Sequence, residues 1–255
     1  MLSAILHGKK TGTGLAGTRL KIGETQGAED VLTASVFERI AYLSDDIFRQ
    51  FIRNLLSEAN DIGALEKIEF WVSLTLYGSR VEPDVILTGS NSQSIVVEAK
   101  RYDFQQQQYA EQLANEIMAT NENDIKNPVL LTIGGLNNYT NAMKQTLKKQ
   151  IDTLLANQNF LSKYQLFCVS WQEVYTALEQ AVPHDSQHYQ RLLSDIRQTY
   201  DWHGIRHQPR RWLDKLAVQD ITHTEFPTIF TCQNLWTALH SIGLTHQHFP
   251  SFLGD

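Results

Sequence analysis

The chain opens without a clear period. Residues 1–29 are rich in Gly and Thr and carry no sustained alternation of apolar and polar positions, which reads as a loop-like or loosely paired N-terminal arm. From Asp30 a helical rhythm sets in. Val31, Leu32, Ala34, Val36, Phe37, Ile40, Ala41 and Leu43, then Ile47, Phe48, Phe51, Ile52, Leu55 and Leu56, recur at three- and four-residue spacing. Ser44-Asp45-Asp46 interrupts this run and supplies a break with a new N-cap. Three strand-like runs follow. Ile68–Tyr77 alternates through Phe70, Val72, Leu74 and Leu76 and stops at Gly78; Asp84–Thr88 is a short apolar run; Ser94–Lys100 carries Ile95, Val96 and Val97. Gly78-Ser79-Arg80 and Gly89-Ser90-Asn91-Ser92 are turn-rich connections, so an antiparallel β-meander over 66–100 is expected.

Helical spacing returns at Gln105–Asn121, with Tyr109, Leu113, Glu116 and Ile117 in phase. A buried-looking strand Pro128–Ile133, a helix from about Asn138 to Ala156, a strand Tyr164–Ser170 and a helix Gln172–Ala181 complete the pattern. Strands separated by helices of this length imply parallel crossovers added to the meander, hence an α/β fold. Beyond Pro183 the character shifts: eight of the nine histidines lie there, with Trp202, Trp212 and Trp236. A helix over about 185–200 and irregular aromatic structure after it read as an elaboration packed on the core. The expected organisation is an arm at 1–29, a core domain at 30–182 and a C-terminal elaboration at 183–255.

Composition sharpens this picture in two places. At 255 residues and 42% hydrophobic, the chain can bury a substantial core, and one large domain with an appendage is favoured over two full domains. The 22 basic and 28 acidic residues sum to −6, against a protein that coats nucleic acid or anionic membrane through overall charge, while leaving room for a local basic groove. Met1–Lys10 is apolar only from Leu2 to Leu6 and lacks the order of a secretory signal, and no run approaches a membrane span. The two cysteines, Cys168 and Cys232, are too few for a disulfide framework, so a cytoplasmic location with free thiols is expected.

The chemistry concentrates in Glu82-Pro83-Asp84 and, fourteen residues after the aspartate, Glu98-Ala99-Lys100. On adjacent antiparallel strands, Asp84, Glu98 and Lys100 converge at one end of the sheet, because residues two apart share a face. Two hard oxygen donors can hold Mg²⁺, with Mn²⁺ as a substitute and the Ala99 carbonyl as a further ligand. Such an ion polarises a phosphodiester, while Lys100 can orient the attacking water or stabilise charge on the phosphorane oxygens. The competing reading is an exposed, salt-bridged strand rim.

Pro83-Asp84 and Glu98-Ala99-Lys100, within the helix, three-strand, helix, strand order from about Asp30 to Ile133, resemble the PD-(D/E)XK nuclease superfamily. That resemblance implies a restriction-endonuclease-like αβββαβ core, a mixed central sheet flanked by helices, here with an α-rich C-terminal elaboration. It implies metal binding by Asp84 and Glu98 and assistance to water attack by Lys100. Many members carry an acid on the helix before the meander, and Glu38 is the matching position, with pairing to Arg39 or solvent as its alternative. One branch adds Gln-x-x-x-Tyr on the following helix; Gln105 and Tyr109 have that spacing, with Gln112 next on the same face. The activity implied is Mg²⁺-dependent hydrolysis of DNA phosphodiesters in restriction, phage defence or repair, with a homodimer where both strands are cut. The alternative is a noncatalytic nucleic-acid-binding or assembly subunit of a larger complex.

Other signals are weaker. Gly12-Thr13-Gly14-Leu15-Ala16-Gly17 matches a dinucleotide-binding pattern without the strand and helix that pattern needs. His203 with His207, and His246 with His248, lack cysteines at structural-zinc spacing, and Cys168 reads as a small core hydrophobe. Arg206, Arg210, Arg211 and Lys215, interleaved with Trp202, His207 and Trp212, form the densest basic cluster. It is either a grip on DNA phosphates or a solvated arginine face paired with Asp214.

Overall fold

The helical rhythm after residue 27 resolves into two helices. The computed structural model describes residues 28–57, 60–160 and 163–208. Helix α1 (Ala28–Ile40) carries Glu29 and Asp30 in its first turn and Arg39 in its last, charges that complement its dipole. Helix α2 (Asp45–Leu55) starts after Ser44, with Asp45 and Asp46 in its first turn, at the break expected there. Phe48, Phe51 and Ile52 form its buried stripe.

Strand β1 (Leu65–Phe70) then opens the main sheet. The single alternating strand expected over Ile68–Tyr77 is in fact two elements. Trp71 takes a left-handed backbone (φ 46°), ends β1 and turns the chain into a separate hairpin of β2 (Leu74–Leu76) and β3 (Ser79–Val81). The meander resumes with β4 (Val85–Gly89) and β5 (Ser94–Ala99).

Helix α3 spans Ala110–Glu122, not Gln105–Asn121. The backbone N–H groups of Gln107 and Gln108 donate to the Gly135 carbonyl (2.9 and 3.0 Å), which pins the glutamine segment against a neighbouring loop and delays the helix. Strand β6 (Val129–Ile133), helix α4 (Asn141–Asn157), strand β7 (Gln165–Val169) and helix α5 (Trp171–Ala181) follow in the expected order. Thr140 caps α4, and Ser170 with Glu173 forms a capping box on α5. Helix α6 (Gln187–His203) ends on Gly204 in the left-handed conformation.

The five-stranded sheet has the order β1-β4-β5-β6-β7. Its β1/β4 and β4/β5 pairs are antiparallel and its β5/β6 and β6/β7 pairs parallel, so the fold is α/β with a mixed central sheet flanked by helices. Strands β5 and β6 are buried at every position, as interior strands covered on both faces must be. Alternate residues feed two cores. Val85, Leu87, Ile95 and Val97 pack with Phe37, Phe48, Trp171 and Tyr200 from α1, α2, α5 and α6. Ile86, Val96 and Leu130 pack with Leu113 and Ile117 of α3, Leu147 and Ile151 of α4, and Leu74 and Leu76 of the hairpin. Leu192, Leu193 and Ile196 bring α6 into the first core, so the described body runs past residue 182. Among the described residues no helix is long and apolar enough to cross a membrane.

Candidate active site

The two strands that carry the acids are in register. Val85 pairs with Val97, Ile86 with Val96 and Leu87 with Ile95, and one step further along the same antiparallel register sets Asp84 opposite Glu98. Opposed residues point to the same face, here the face covered by α3. Asp84 and Glu98 are buried, 9% and 2% exposed.

Asp84 is held from two sides. Its Oδ1 accepts from Trp71 Nε1 (3.1 Å) and its Oδ2 from the Ala99 backbone N–H (2.8 Å). The unusual backbone of Trp71 thus has a structural return: its indole meets the aspartate, and its own N–H donates to the Asp84 carbonyl (3.0 Å). Along a strand a residue's N–H and C=O point to the same side, so the Ala99 carbonyl faces the same gap as the N–H that Asp84 accepts. Glu98 Oε1 accepts from Lys100 Nζ and from Gln112 Nε2 (2.6 Å).

Two acids that the sequence reading did not select complete the cluster. Glu116, one turn beyond Gln112 on α3, is 1% exposed; its Oε1 accepts from Gln112 Nε2 (3.0 Å), and its carboxyl is hydrogen-bonded to that of Glu98 when one of the two carries a proton. Glu29, in the first turn of α1, places Oε1 3.6 Å from Lys100 Nζ and accepts the Arg101 backbone N–H on Oε2 (2.9 Å). Glu38 lies nine residues further along the same helix, about 13 Å down its axis. It lines a different hollow, with Arg39, Tyr42, His188 and Asp195. The helix acid at this site is therefore Glu29. The 3.6-residue period of α1 marks its face without saying how far along that face the end of the sheet falls.

The electrostatics follow from the crowding. Burial, then the neighbouring Glu98, pushes the Asp84 carboxyl well above the usual range, against the Ala99 N–H and Lys100. Burial, then Glu98 and Asp84, does the same to Glu116. Burial raises Glu98 as well, although Lys100 opposes it. Burial alone would lower the Lys100 pKa, but Glu98, Glu29 and Asp84 outweigh it and hold the ammonium above its ordinary value. Lys100 is thus a fixed cation among carboxyl groups whose ionised forms are disfavoured by burial and by one another.

Lys100 is positioned mainly through its backbone. Its N–H donates to the Ile133 carbonyl (2.7 Å) and its carbonyl accepts from Trp171 Nε1 (2.7 Å). Gly134 and Gly135, both left-handed (φ 68° and 71°), let the chain leaving β6 run against it; a Cβ on Gly134 would sit 2.3 Å from the Lys100 carbonyl oxygen. Gln108, buried, donates from Nε2 to the carbonyls of Glu98 and Gly134 (3.3 Å each) and ties the glutamine segment to this loop.

The other selected residues are placed unevenly. Gln112 joins the cluster. Gln105 is exposed and precedes the helix, so it does not share a helical face with Tyr109. Tyr109 is the N-cap of α3, 61% exposed, in an open cleft of about 490 Å³ between the β2–β3 hairpin and α3. Arg206 is exposed; Arg210, Arg211, Lys215 and Trp212 lie outside the described residues, as do the Gly12–Gly17 motif, His246 with His248, and Cys232. His203 is buried with neither ring nitrogen hydrogen-bonded, and burial lowers its pKa to about 4; His207 instead lies against the Tyr175 ring and Asp201. Cys168 is buried, and burial raises its thiol pKa, as for a core hydrophobe.

Among the described residues no three His, Cys, Asp or Glu side chains are set to close on one metal ion. A cation here would have two protein carboxylates and a carbonyl at most. That set suits Mg²⁺, which keeps several waters, and does not suit a fully protein-caged ion.

No family model matches the sequence. The chain is 47% identical over 256 residues to Uncharacterized protein PM0110 of Pasteurella multocida (strain Pm70), with 100% of both chains covered, and it belongs to the same family as that protein.

Proposed function

We propose that this protein is a Mg²⁺-dependent nuclease of the PD-(D/E)XK superfamily, with a restriction-endonuclease-like core, that hydrolyses DNA phosphodiester bonds. The observation that carries the reading is the convergence of Asp84 and Glu98, opposite one another across β4 and β5, with Lys100 on the same rim and Glu29 behind it. An exposed strand rim would give solvated ion pairs. Here the Asp84, Glu98 and Glu116 carboxyls are buried and crowded together, so their ionised forms are disfavoured, a cost that a divalent cation between Asp84 and Glu98 would relieve.

Asp84 and Glu98 would hold the ion, with the Ala99 carbonyl as a third protein oxygen. When bound, Mg²⁺ supplies charge neutralisation at the phosphodiester and a bound water of lowered pKa. Lys100 stays protonated under the combined field of Glu98 and Glu29, so its role is to orient water and stabilise charge on the phosphorane oxygens, not to act as a base. Glu29 positions the ammonium; Gln112 fixes the Glu98 carboxylate.

A second reading has one observation in its favour. Both Asp84 oxygens already accept hydrogen bonds and Lys100 already contacts Glu98, as in a closed structural cluster of a noncatalytic DNA-binding or assembly subunit. Incubation of the purified protein with single- and double-stranded DNA in Mg²⁺, Mn²⁺ or EDTA separates the two. The nuclease reading expects metal-dependent cleavage that Lys100→Ala abolishes while the circular dichroism spectrum is retained. Cleavage that persists in Lys100→Ala, or none with any DNA form and either ion, overturns it.

A further inference from the structure

The cleft beside the acids has the wrong charge for a phosphate track. Its hairpin wall is Arg80, Val81 and Glu82, and Arg80 is already paired with Glu82. Its α3 wall adds Glu111 and Glu116. One neutralised cation against three carboxyl side chains does not attract a polyanion, since nucleic-acid backbones are gripped by unpaired Lys and Arg.

What the cleft does offer is suited to a neutral, flat, hydrogen-bonding group. Tyr109 holds an aromatic ring at 61% exposure on its rim, one of four large hydrophobic side chains so exposed among the described residues. Asn115 adds an amide, one donor group and one acceptor, and Gln112 keeps Oε1 as an acceptor because its Nε2 is committed to Glu98 and Glu116. Residues 109, 112 and 115 recur every three positions and so lie along one side of α3. The volume, about 490 Å³, falls in the range of small-ligand pockets.

We infer that this cleft receives an unstacked nucleobase, held by the Tyr109 ring and the Asn115 and Gln112 amides, and that the substrate is accordingly single-stranded DNA or a single-stranded end. The inference rests on the nuclease reading for its link to the acids. Gln112 belongs to both places: it lines the cleft and donates to Glu98, which in turn contacts Lys100. A base seated on Tyr109 is thus linked through Gln112 to Glu98, one of the two carboxylates that would hold the ion. A duplex, its bases stacked and paired, has no base to offer without first melting.

The test is binding to fluorescein-labelled single-stranded oligonucleotide and to the matching blunt duplex by fluorescence anisotropy in EDTA, with cleavage in Mg²⁺ measured in parallel. Wild type is expected to bind the single strand at least about tenfold more tightly than the duplex. Tyr109→Ala loses about tenfold in single-strand affinity, as removal of one stacking platform should, and Tyr109→Phe retains it. Tyr109 makes no side-chain cap hydrogen bond, so the alanine variant keeps its helix. Equal single-strand binding by Tyr109→Ala and wild type, or a wild-type preference for duplex, overturns the inference. The two readings fail separately. Metal-dependent cleavage that ignores Tyr109 sinks the base pocket and leaves the nuclease; Tyr109-dependent single-strand binding without cleavage sinks the nuclease and leaves the base pocket.

Discussion

Lys100 and Glu29 meet at the end of the sheet, Nζ 3.6 Å from Oε1, although one closes strand β5 and the other opens helix α1. The second oxygen of Glu29 holds the Arg101 N–H, so the carboxylate is anchored to the same backbone whose lysine it faces. This makes Glu29 a positioning residue for the ammonium, and it separates two acids of one helix. Glu29→Gln should lower metal-dependent cleavage about tenfold and shift the alkaline limb of its pH profile downward, because one of the charges that raises the Lys100 pKa is gone. Glu38→Gln, at the other end of the helix, should leave rate and profile unchanged. Equal effects of the two variants would remove the assignment.

The raised carboxyl pKa values make a prediction about the metal-free protein. A group whose pKa is higher folded than unfolded binds more protons in the native state, so stability falls as pH rises from its unfolded value towards its folded one. Asp84, Glu98 and Glu116 all shift upward, and burial lifts Asp103 to about 6. In EDTA these four carboxyls should therefore cost stability as pH increases from about 4.5 upward, while buried His203, its pKa lowered to about 4, offsets part of that cost up to about pH 6.5, so the net loss is expected above that point. Glu116→Gln, which keeps the shape and removes the charge, should gain about 1 kcal/mol at pH 8 and flatten the dependence. Urea unfolding at pH 6.5 and pH 8, above the range in which His203 titrates, measures both; a Glu116→Gln variant less stable than wild type at pH 8 would contradict the electrostatic account.

The same crowding of carboxyl groups predicts what a divalent ion does to stability. Saturating Mg²⁺ at neutral pH should raise the unfolding midpoint of wild type, by about 2.7 kcal/mol when the ion stands at a hundredfold over its dissociation constant. Asp84→Asn, whose amide nitrogen cannot accept from the Trp71 indole or the Ala99 N–H, should gain nothing from Mg²⁺. Thermal scans with and without the ion check both halves, and an Asp84→Asn protein that responds to Mg²⁺ as wild type does would place the ion elsewhere.

Much of this was legible in the sequence because it depends on local spacing. The two-residue period put Glu98 and Lys100 on one face, and turn-rich connections made β4 and β5 antiparallel neighbours, which is enough to bring Asp84 opposite Glu98. The helix break at Ser44 and the parallel crossovers to β6 and β7 were legible for the same reason. What stayed hidden is set by tertiary placement. Glu116 is in phase with Leu113 and Ile117 and so looks like any polar residue on a helix flank; only the docking of α3 over β5 turns it towards Glu98. Trp71 sits in a run whose apolar alternation continues past it, and nothing local marks its left-handed backbone or the contact of its indole with the Asp84 carboxylate. Gln108 was one of four like residues, and nothing local distinguishes the one that meets two carbonyls.

Backbone packing behind Lys100 gives a last prediction with its own control. Gly134 and Gly78 share a left-handed conformation, φ 68° and 80°, so alanine at either pays the same conformational cost, about 1 kcal/mol. Their surroundings differ. Around Gly78, at the tip of the β2–β3 hairpin, nothing lies within 4 Å of the added Cβ; at Gly134 the Cβ would stand 2.3 Å from the Lys100 carbonyl oxygen and 3.3 Å from Trp171 Nε1, the pair whose hydrogen bond holds the lysine backbone. Neither atom can yield cheaply, since one is backbone and the other belongs to a buried indole. Gly78→Ala should therefore cost about 1 kcal/mol and keep full activity, while Gly134→Ala should cost about 3 kcal/mol or more and lose most cleavage even where it remains folded. Urea unfolding and a single-turnover rate on the folded fraction separate the effects. If Gly134→Ala is as stable and as active as Gly78→Ala, the loop after β6 is not what positions Lys100.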